Sequence, residues 1–186
     1  MGIRARTEQR LLDAADELLF SRGIGATPVD AITERAGVSA ATLYRGYASK
    51  EALLAAALER RQRAWLEAWD RAVERADSPA GRLLAVFDAL DDFRGRADSA
   101  RWCAFLGTAA EYADPPAEVA AAVQSDTDGF RDRLTELARP LVGEEAARLA
   151  DDILLVVTGE LAMRLREPRR SAHAARRIAE TLIDRR

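Results

Sequence analysis

Apolar residues recur at spacings of three and four along the whole chain, and no stretch of useful length alternates apolar and polar residues. Spacings of three and four place apolar side chains on one face of an α-helix, whereas alternation is typical of a half-buried strand. Alanine and leucine, which form helices readily, are abundant throughout. The pattern therefore predicts an all-α fold.

Capping residues and helix breakers divide this pattern into nine predicted helices. Serine and threonine at N-caps, proline at a first helical position and glycine just past a helix end mark their limits. The predicted N-caps of the first four helices are Thr7, Thr27, Ser39 and Ser49. The predicted helices cover about residues 7–22, 28–36, 40–45, 50–76, 79–94, 99–113, 117–138, 144–166 and 171–184.

The second and third helices are short, and only Gly37, Val38 and Ser39 separate them. Two short helices joined by a three-residue turn have the spacing of a helix-turn-helix. The second helix of such a motif enters the major groove of DNA, which is about 12 Å wide. Tight turns with glycine also occur in other helical proteins, so the turn alone does not establish DNA binding.

The residues around this turn sharpen the interpretation. From Thr7 to Leu54 the chain resembles the TetR family of transcriptional regulators, through Tyr47 and the segments Arg10–Gly23, Thr27–Ile32, Ala36–Tyr44 and Ser49–Leu54. Beyond Leu54 the resemblance is one of architecture only. It implies an N-terminal three-helix helix-turn-helix DNA-binding domain, residues 1–50, followed by a larger helical ligand-binding and dimerisation domain, residues 51–186.

The third predicted helix carries side chains suited to reading DNA. Arg45 is its one long polar side chain and is the candidate for guanine, whereas the methyl groups of Ala40 and Ala41 suit thymine. Thr42 suits either kind of contact. The candidate DNA-binding residues are Thr27, Ser39, Ala40, Ala41, Thr42, Tyr44, Arg45, Tyr47 and Lys50.

Phosphate contacts are expected around this helix. Lys50, the only lysine among 28 basic residues, lies in the first turn of a helix, where a cation beside unpaired N–H groups suits a phosphate. Tyr47 would pack its ring and direct its hydroxyl to a phosphate, and Tyr44 would do the same or pack in the core. The arginines within residues 4–10 form either an N-terminal arm on the DNA or a solvated terminus.

Most of the aromatic residues lie in the larger domain. They would line an apolar cavity or fill an ordinary core; the sequence alone favours the core, and the family resemblance implies the cavity. Thr108, Glu111, Thr158 and Glu160 interrupt apolar stretches, where they would orient a ligand or lie at the surface. The candidate ligand-binding residues are Trp65, Trp69, Phe87, Phe93, Trp102, Cys103, Phe105, Phe130, Leu155 and Thr158.

The last two predicted helices carry the expected dimer interface. The eighth is apolar around most of its circumference and Gly159 permits a close approach, so this helix needs burial on more than one side. The resemblance implies that two such helices from each subunit form a two-fold, four-helix interface. Its candidate residues are Ile153, Val156, Gly159, Met163, Ala175, Ile178, Ala179 and Leu182.

Composition excludes several classes of protein. The net charge is −3; seven basic and six acidic side chains give residues 1–50 a charge of +1 and leave −4 for the rest, an asymmetry of the sign that DNA binding favours. One cysteine and one histidine cannot form a Cys/His zinc site. The sequence shows no catalytic constellation, long apolar span or secretory signal. We therefore expect no enzyme activity, metal or cofactor, no membrane partner, and a cytoplasmic location.

These features predict a ligand-responsive transcriptional regulator. We expect a repressor that binds a palindromic operator in double-stranded DNA as a homodimer and is released by a small apolar molecule. The alternative is a helical interaction or ligand-binding protein of the same fold with lost or weak DNA binding. The slight basic balance, the small side chains of Ala40 and Ala41, and Gly46, where the family usually carries a larger side chain, favour that alternative.

Overall fold

The computed structural model describes residues 3–94 and 103–185, and within these ranges it contains helices and no strand. The all-α class predicted by the periodicity is confirmed. A short 3-10 helix, Gly143–Glu145, precedes α8. The α-helices are α1 (Ala5–Arg22), α2 (Val29–Ala36), α3 (Ala40–Gly46), α4 (Lys50–Glu74), α5 (Pro79–Arg94), α6 (Ala104–Glu111), α7 (Ala117–Val142), α8 (Ala146–Arg166) and α9 (His173–Asp184).

The turn between α2 and α3 has the predicted stop and start signals. Gly37 adopts the left-handed conformation, with φ of 62°, and its N–H donates to the Glu34 carbonyl at 3.1 Å. The next N–H, that of Val38, donates to the Thr33 carbonyl at 3.0 Å, which completes a Schellman motif. The Ser39 hydroxyl oxygen then accepts the Thr42 N–H at 3.2 Å and caps α3 as predicted.

Two predicted N-caps are wrong. The first helix begins at Ala5, before Thr7, and Arg4 stands at its N-cap. The second begins at Val29 with Pro28 at the N-cap, and Thr27 is buried instead of capping it. The Thr27 hydroxyl donates to the Gly23 carbonyl at 2.8 Å, because a hydroxyl turned into the core needs an acceptor there.

The predicted end of the seventh helix at residue 138 is also wrong. α7 continues through Pro140 to Val142. Proline inside a helix removes one hydrogen bond and costs about 3 kcal/mol. Leu137, Leu141 and Val142 are partly buried against core residues here. Full burial of such a side chain contributes about 1.5–3 kcal/mol, so the partial burial of three together offsets that cost.

The sixth predicted helix is only partly tested. Within the described residues α6 covers Ala104–Glu111, shorter at its end than the predicted 99–113. Its predicted start at Ser99, and the predicted stop at Gly95 of the helix before it, lie outside the described residues.

Spatial contacts divide the chain into two compact units. Unit 1 comprises the described residues of 1–61 and 100–124, and unit 2 those of 62–99 and 125–186. The core of unit 1 includes Leu11, Phe20, Ile32, Leu43, Leu54, Leu58 and Val119. The core of unit 2 includes Trp69, Leu83, Phe87, Leu134, Leu149 and Ile153. None of the helices in the described ranges is long and apolar enough to cross a membrane.

In unit 1, two consecutive arginines of α4 hold α1. The Arg61 guanidinium donates to the Asp16 carboxylate at 3.0 Å, with both side chains largely buried, and it lies 5.6 Å from the centre of the Phe20 ring. Arg60 donates to the Asp13 carboxylate at 2.7 Å. These contacts, added to the apolar core, fix the helix on which α2 and α3 rest.

In unit 2, a buried ion network joins α5, α8 and the segment before α9. The buried Glu160 carboxylate accepts hydrogen bonds from Arg164 at 3.1 Å and from Arg170 at 3.0 Å. Arg164, also buried, donates in addition to the Leu90 carbonyl at 3.0 Å and to the Asp91 carboxylate at 2.8 Å. Both oxygens of Glu160 therefore have arginine partners within unit 2, so its expected roles at the surface or beside a ligand are replaced by a structural one.

Candidate functional site

The third helix presents one face to the core and the other to solvent. Leu43, fully buried in the core of unit 1, anchors α3 from behind. Ser39, Ala41 and Arg45 are exposed, and Tyr44 is 52% exposed. Of the two interpretations of Tyr44, the structure supports the exposed one.

The exposed face of α3 is uncharged except for one cation. The Arg45 guanidinium donates to the Thr42 hydroxyl at 3.3 Å, and no acidic side chain of the described residues pairs with it. The Thr42 hydroxyl also lies 2.9 Å from that of Ser39. Five N–H donors on a planar guanidinium suit the two acceptors of a guanine edge. The side of α3 away from the core thus combines a forked donor, two hydroxyls and the methyl groups of Ala40 and Ala41.

Tyr47 and Lys50 follow α3, and both already have partners inside unit 1. The Tyr47 hydroxyl donates to the Glu8 carboxylate at 3.3 Å, and its ring packs against the core. Burial, followed by the nearby Glu8 charge, raises the pKa of Tyr47 to about 12. The Lys50 ammonium donates to the Ile24 carbonyl. The phosphate contacts expected of both residues remain predictions.

The structure does not place Thr27 on this face. Its side chain is buried, and its hydroxyl, besides donating to Gly23, lies 3.2 Å from the Leu18 carbonyl. Of the arginines within residues 4–10, Arg6 and Arg10 belong to α1, and the contact of these arginines with DNA remains a prediction. The Arg10 guanidinium lies beside Gly37, where an added Cβ would be 3.6 Å from its Nη1.

Two contacts in unit 1 were not predicted from the sequence, that of Ile3 with Gly46 and that of Glu111 with the turn before α2. A Cβ on Gly46 would lie 2.6 Å from the Ile3 side chain, so glycine leaves room for Ile3 to pack on the last turn of α3. Glu111, expected near a ligand or at the surface, accepts backbone N–H groups of the turn between α1 and α2. The only sequence signal for that contact is the pair Gly23 and Gly25, whose spacing predicts a turn but names no partner.

Four of the candidate ligand residues form one aromatic cluster in unit 2. The Trp65 and Phe130 rings stack, with centroids 5.7 Å apart and planes 14° apart. Phe93 meets Trp65 edge-on at 5.7 Å, and Trp69 lies 4.7 Å from Phe130. α4, α5 and α7 therefore bring these rings together as the predicted set requires.

This cluster contains polar groups that its neighbours leave unsatisfied. Trp69 is fully buried and Trp65 is 8% exposed, yet neither indole N–H has an acceptor among the described residues. A buried donor without an acceptor costs about 1–3 kcal/mol. One helical turn before Phe130, burial raises the pKa of the Asp126 carboxyl to about 7. The rings pack against one another within the core of unit 2, and a ligand site at this cluster remains a prediction.

The other candidate ligand residues are divided between the two units. Phe87 is buried in the same core of unit 2 as Trp65 and Trp69, whereas Cys103 and Phe105 belong to unit 1. On α8, Leu155 is 73% exposed and Thr158 is exposed as well, so neither belongs to the aromatic cluster in this protomer. Trp102 lies outside the described residues.

The candidate dimer residues fall into two groups. Ile153, Ala175 and Ala179 are buried within unit 2, where they hold α8 and α9 in their own protomer. Ile178 is 54% exposed and, like Leu155, is a large apolar side chain at the surface. The remaining candidates are exposed or half-buried: Val156, Gly159, Met163 and Leu182. The expectation of an α8 buried on more than one side is not met within a single chain.

Known proteins resemble this chain most clearly over α1 to α4. Residues 11–57 match the family model described as bacterial regulatory proteins, tetR family. The chain is 32% identical over 145 residues, 77% of its length, to the HTH-type transcriptional activator FasR of Mycolicibacterium smegmatis. It is 44% identical over 52 residues, 28% of its length, to the uncharacterized HTH-type transcriptional regulator YvkB of Bacillus subtilis. These matches span 64% and 28% of the two relatives' own lengths, less than two thirds of either.

The likeness of the fold extends over nearly the whole chain. A crystal structure of a TetR-family transcriptional regulator from Streptomyces coelicolor superposes with a TM-score of 0.87 and 26% sequence identity, covering 97% of this chain and 96% of that one. The family model covers the helix-turn-helix, and the structural match extends through α9. The predicted resemblance to the TetR family of bacterial transcriptional regulators is confirmed, by the family model over residues 11–57 and by the fold over nearly the whole chain.

Proposed function

We propose that this protein is a DNA-binding transcriptional repressor that reads a palindromic operator as a homodimer and releases it when a small apolar molecule binds. The observation that carries the proposal is α3, which is capped by Ser39, anchored by Leu43 and lacks acidic residues on its exposed face. Residues 1–50 supply the DNA-binding part and residues 51–186 the ligand-binding and dimerisation part. We place the protein in the cytoplasm, where bacterial DNA lies.

Each exposed group of α3 has a role that its chemistry supports. Arg45 would donate to a guanine edge, and Ala40 and Ala41 would contact thymine methyl groups. The hydroxyls of Ser39 and Tyr44 suit phosphate oxygens. Lys50 has three N–H donors and uses one for the Ile24 carbonyl, so two remain for a phosphate.

A two-fold dimer would let one protein read two half-sites. Successive major grooves on one side of the duplex are about 34–36 Å apart, so two α3 helices at that separation would bind a palindrome. Leu155 and Ile178 leave large apolar surface exposed on α8 and α9, which association would remove from water. The chain should sediment as a dimer at micromolar concentration, and substitution of both residues by arginine should give monomers; a monomeric unsubstituted chain would contradict the proposal.

The aromatic cluster of unit 2 is the proposed ligand site. A ligand with an apolar ring and an acceptor would stack with Trp65 and Phe130 and satisfy an indole N–H. If it binds better to the conformation that does not bind DNA, it shifts the population and releases the operator. A compound that releases DNA should act more weakly on Trp65→Phe, which keeps an aromatic ring and removes the N–H.

Activation of transcription is a second candidate function. It is favoured by one observation, that the Mycolicibacterium smegmatis relative carries the name of a transcriptional activator. A reporter gene placed behind the bound DNA site separates the two. Expression that rises when the protein is removed supports repression, and expression that falls supports activation.

The salt dependence of duplex binding tests the DNA-binding part of the proposal. A labelled duplex should bind with an affinity that falls steeply with salt, because each phosphate contact releases counterions. Lys50→Ala should lower the slope of log affinity against log salt by about 1. Arg148→Ala removes an equal charge from an exposed position on α8 and should leave the slope unchanged. No binding at low salt would favour the alternative, a protein of this fold with lost DNA binding.

A further inference from the structure

The turn between α1 and α2 is held by a residue from a distant part of the chain. Glu111, the last residue of α6, accepts the Ile24 N–H with Oε1 at 3.1 Å and the Gly25 N–H with Oε2 at 3.0 Å. The partners are 87 and 86 residues apart in sequence. Both carboxylate oxygens are therefore used on two consecutive peptide groups of one turn.

The backbone of this turn is shaped to admit the carboxylate. Gly23 has a φ of 99°, a backbone conformation that residues other than glycine rarely adopt. An added Cβ there would lie 3.5 Å from Glu111 Oε1, and one on Gly25 would lie 3.8 Å from Oε2. Both are ordinary van der Waals distances, so it is the φ of Gly23, and not a lack of room beside the carboxylate, that requires glycine in this turn. Hydrogen bonds with an ionised acceptor are about twice as strong as neutral ones.

Other residues of unit 1, close to the start of α2 and the end of α3, also hold this turn in place. The Ile24 side chain is buried in the core of unit 1, and its carbonyl accepts the Lys50 ammonium. The Thr27 hydroxyl donates to the Gly23 carbonyl, two residues before α2 begins at Val29. The position of the turn therefore determines where α2 starts, and the Schellman turn after α2 carries that position to α3.

We propose that Glu111 is a positioning residue for DNA binding: its carboxylate fastens the turn before α2 to the end of α6 and so fixes where α2 and α3 lie within unit 1. This inference rests on the proposed DNA-binding function. Glu111 acts on the backbone of the turn and makes no contact with DNA itself.

The test compares Glu111→Gln with Glu118→Gln. The first keeps the size of the side chain, removes its charge and places an amide donor against a backbone N–H. The second changes an exposed glutamate in the first turn of α7 and is the matched control. In Glu111→Gln we expect the Ile24 and Gly25 amides to exchange with solvent at least about tenfold faster, and affinity for a bound duplex to fall about fivefold or more. The helical content should stay as in Glu118→Gln, and the thermal midpoint should fall by only a few degrees, roughly 2–4 °C for each kcal/mol lost.

Four outcomes decide the matter. Faster exchange with weaker duplex binding, while the protein stays folded with unchanged helical content, supports the inference. Unchanged exchange would overturn it, because the two hydrogen bonds would then contribute nothing. Faster exchange with unchanged duplex binding would also overturn it, while leaving the proposed function intact. Absence of duplex binding by the unsubstituted protein would overturn both. Glu111→Asp, which keeps the charge on a shorter side chain, gives a second variant that should fall between the two glutamine variants.

Discussion

The exposed face of α3 in unit 1 and the interior of unit 2 place their polar side chains in opposite ways. On α3 of unit 1, Ser39, Thr42 and Arg45 bond to one another over three residues and remain open to solvent. In unit 2, Glu160 and Arg164 are buried in an ion network, and two indole N–H groups are buried without acceptors. Polar groups on the surface are free to meet a partner, whereas buried ones affect stability first.

The largest expected effect is on the buried network of unit 2. Glu160→Ala removes the buried carboxylate that Arg164 and Arg170 share. Breaking a buried pair typically costs about 3–5 kcal/mol, and because Arg164 keeps Asp91 we expect a loss at the lower end of that range. Glu167→Ala removes an exposed carboxylate that also pairs with Arg170 and should cost about 0–1 kcal/mol. Denaturant unfolding of both variants measures the difference. Equal losses would contradict the assignment of Glu160 to a structural role.

The second prediction concerns pH. Burial raises the pKa of Asp126 to about 7, against 3.8 in the unfolded chain, so the folded state binds the proton more tightly. The free energy of unfolding should therefore fall as pH rises from 3.8 to about 7 and then level off. Each pKa unit is worth about 1.4 kcal/mol, so the fall is at most about 4 kcal/mol.

Asp126→Asn removes the proton equilibrium and should flatten this part of the stability profile. Asp132→Asn changes an exposed carboxylate of the same helix and should keep the slope of the unsubstituted protein. Denaturant unfolding at several pH values compares the three proteins. A slope that persists in Asp126→Asn would mean that the carboxyl is not buried in solution.

The third prediction returns to α3. Arg45→Ala should weaken binding to the preferred duplex by about 1–3 kcal/mol and relax the preference for guanine at one position of each half-site. Lys50→Ala should weaken binding to all duplexes alike. Competition between preferred and altered duplexes measures both changes. Identical behaviour of the two variants would contradict the roles assigned to these residues.

The smallest effect is expected at Gly46, where the Ile3 side chain packs on the last turn of α3. Gly46→Ala alone should destabilise by less than about 1 kcal/mol, because the gain in helix propensity is offset by displacement of Ile3. In the background of Ile3→Ala the same change should stabilise by about 0.5–1 kcal/mol. A gain of the same size in both backgrounds would show that Ile3 does not pack there.

The limits of sequence interpretation follow the distance between partners. The stops and starts at Gly37 and Ser39 were predictable because their hydrogen bonds span three to five residues. The same holds for Ser49, whose hydroxyl oxygen accepts the Ala52 N–H. The fold class follows from periodicity alone, which is likewise a local property.

Side chains with distant partners were not predictable in this way. Thr27 looked like an N-cap, and only the packing of α1 shows why its hydroxyl points inward. Glu111 contacts Ile24 and Gly25, which are 87 and 86 positions away in the sequence, and Ile3 packs beside Gly46. The spacing of residues gives no signal for either contact. Of the candidate ligand residues, the aromatic positions on α4, α5 and α7 came together, whereas Leu155 and Thr158 did not, because a helix with apolar residues on several faces does not reveal which face lies inward.

The most direct test of the central claim is the selection of bound duplexes from a random DNA pool by the purified protein. About 0.15 M salt is suitable, because weak phosphate contacts are screened there. We predict enrichment of a palindrome whose half-sites lie one helical turn apart, with a guanine that the Arg45→Ala variant no longer selects. A pool that stays random, both at this salt concentration and at low salt, would contradict the account of α3 as a helix that reads DNA.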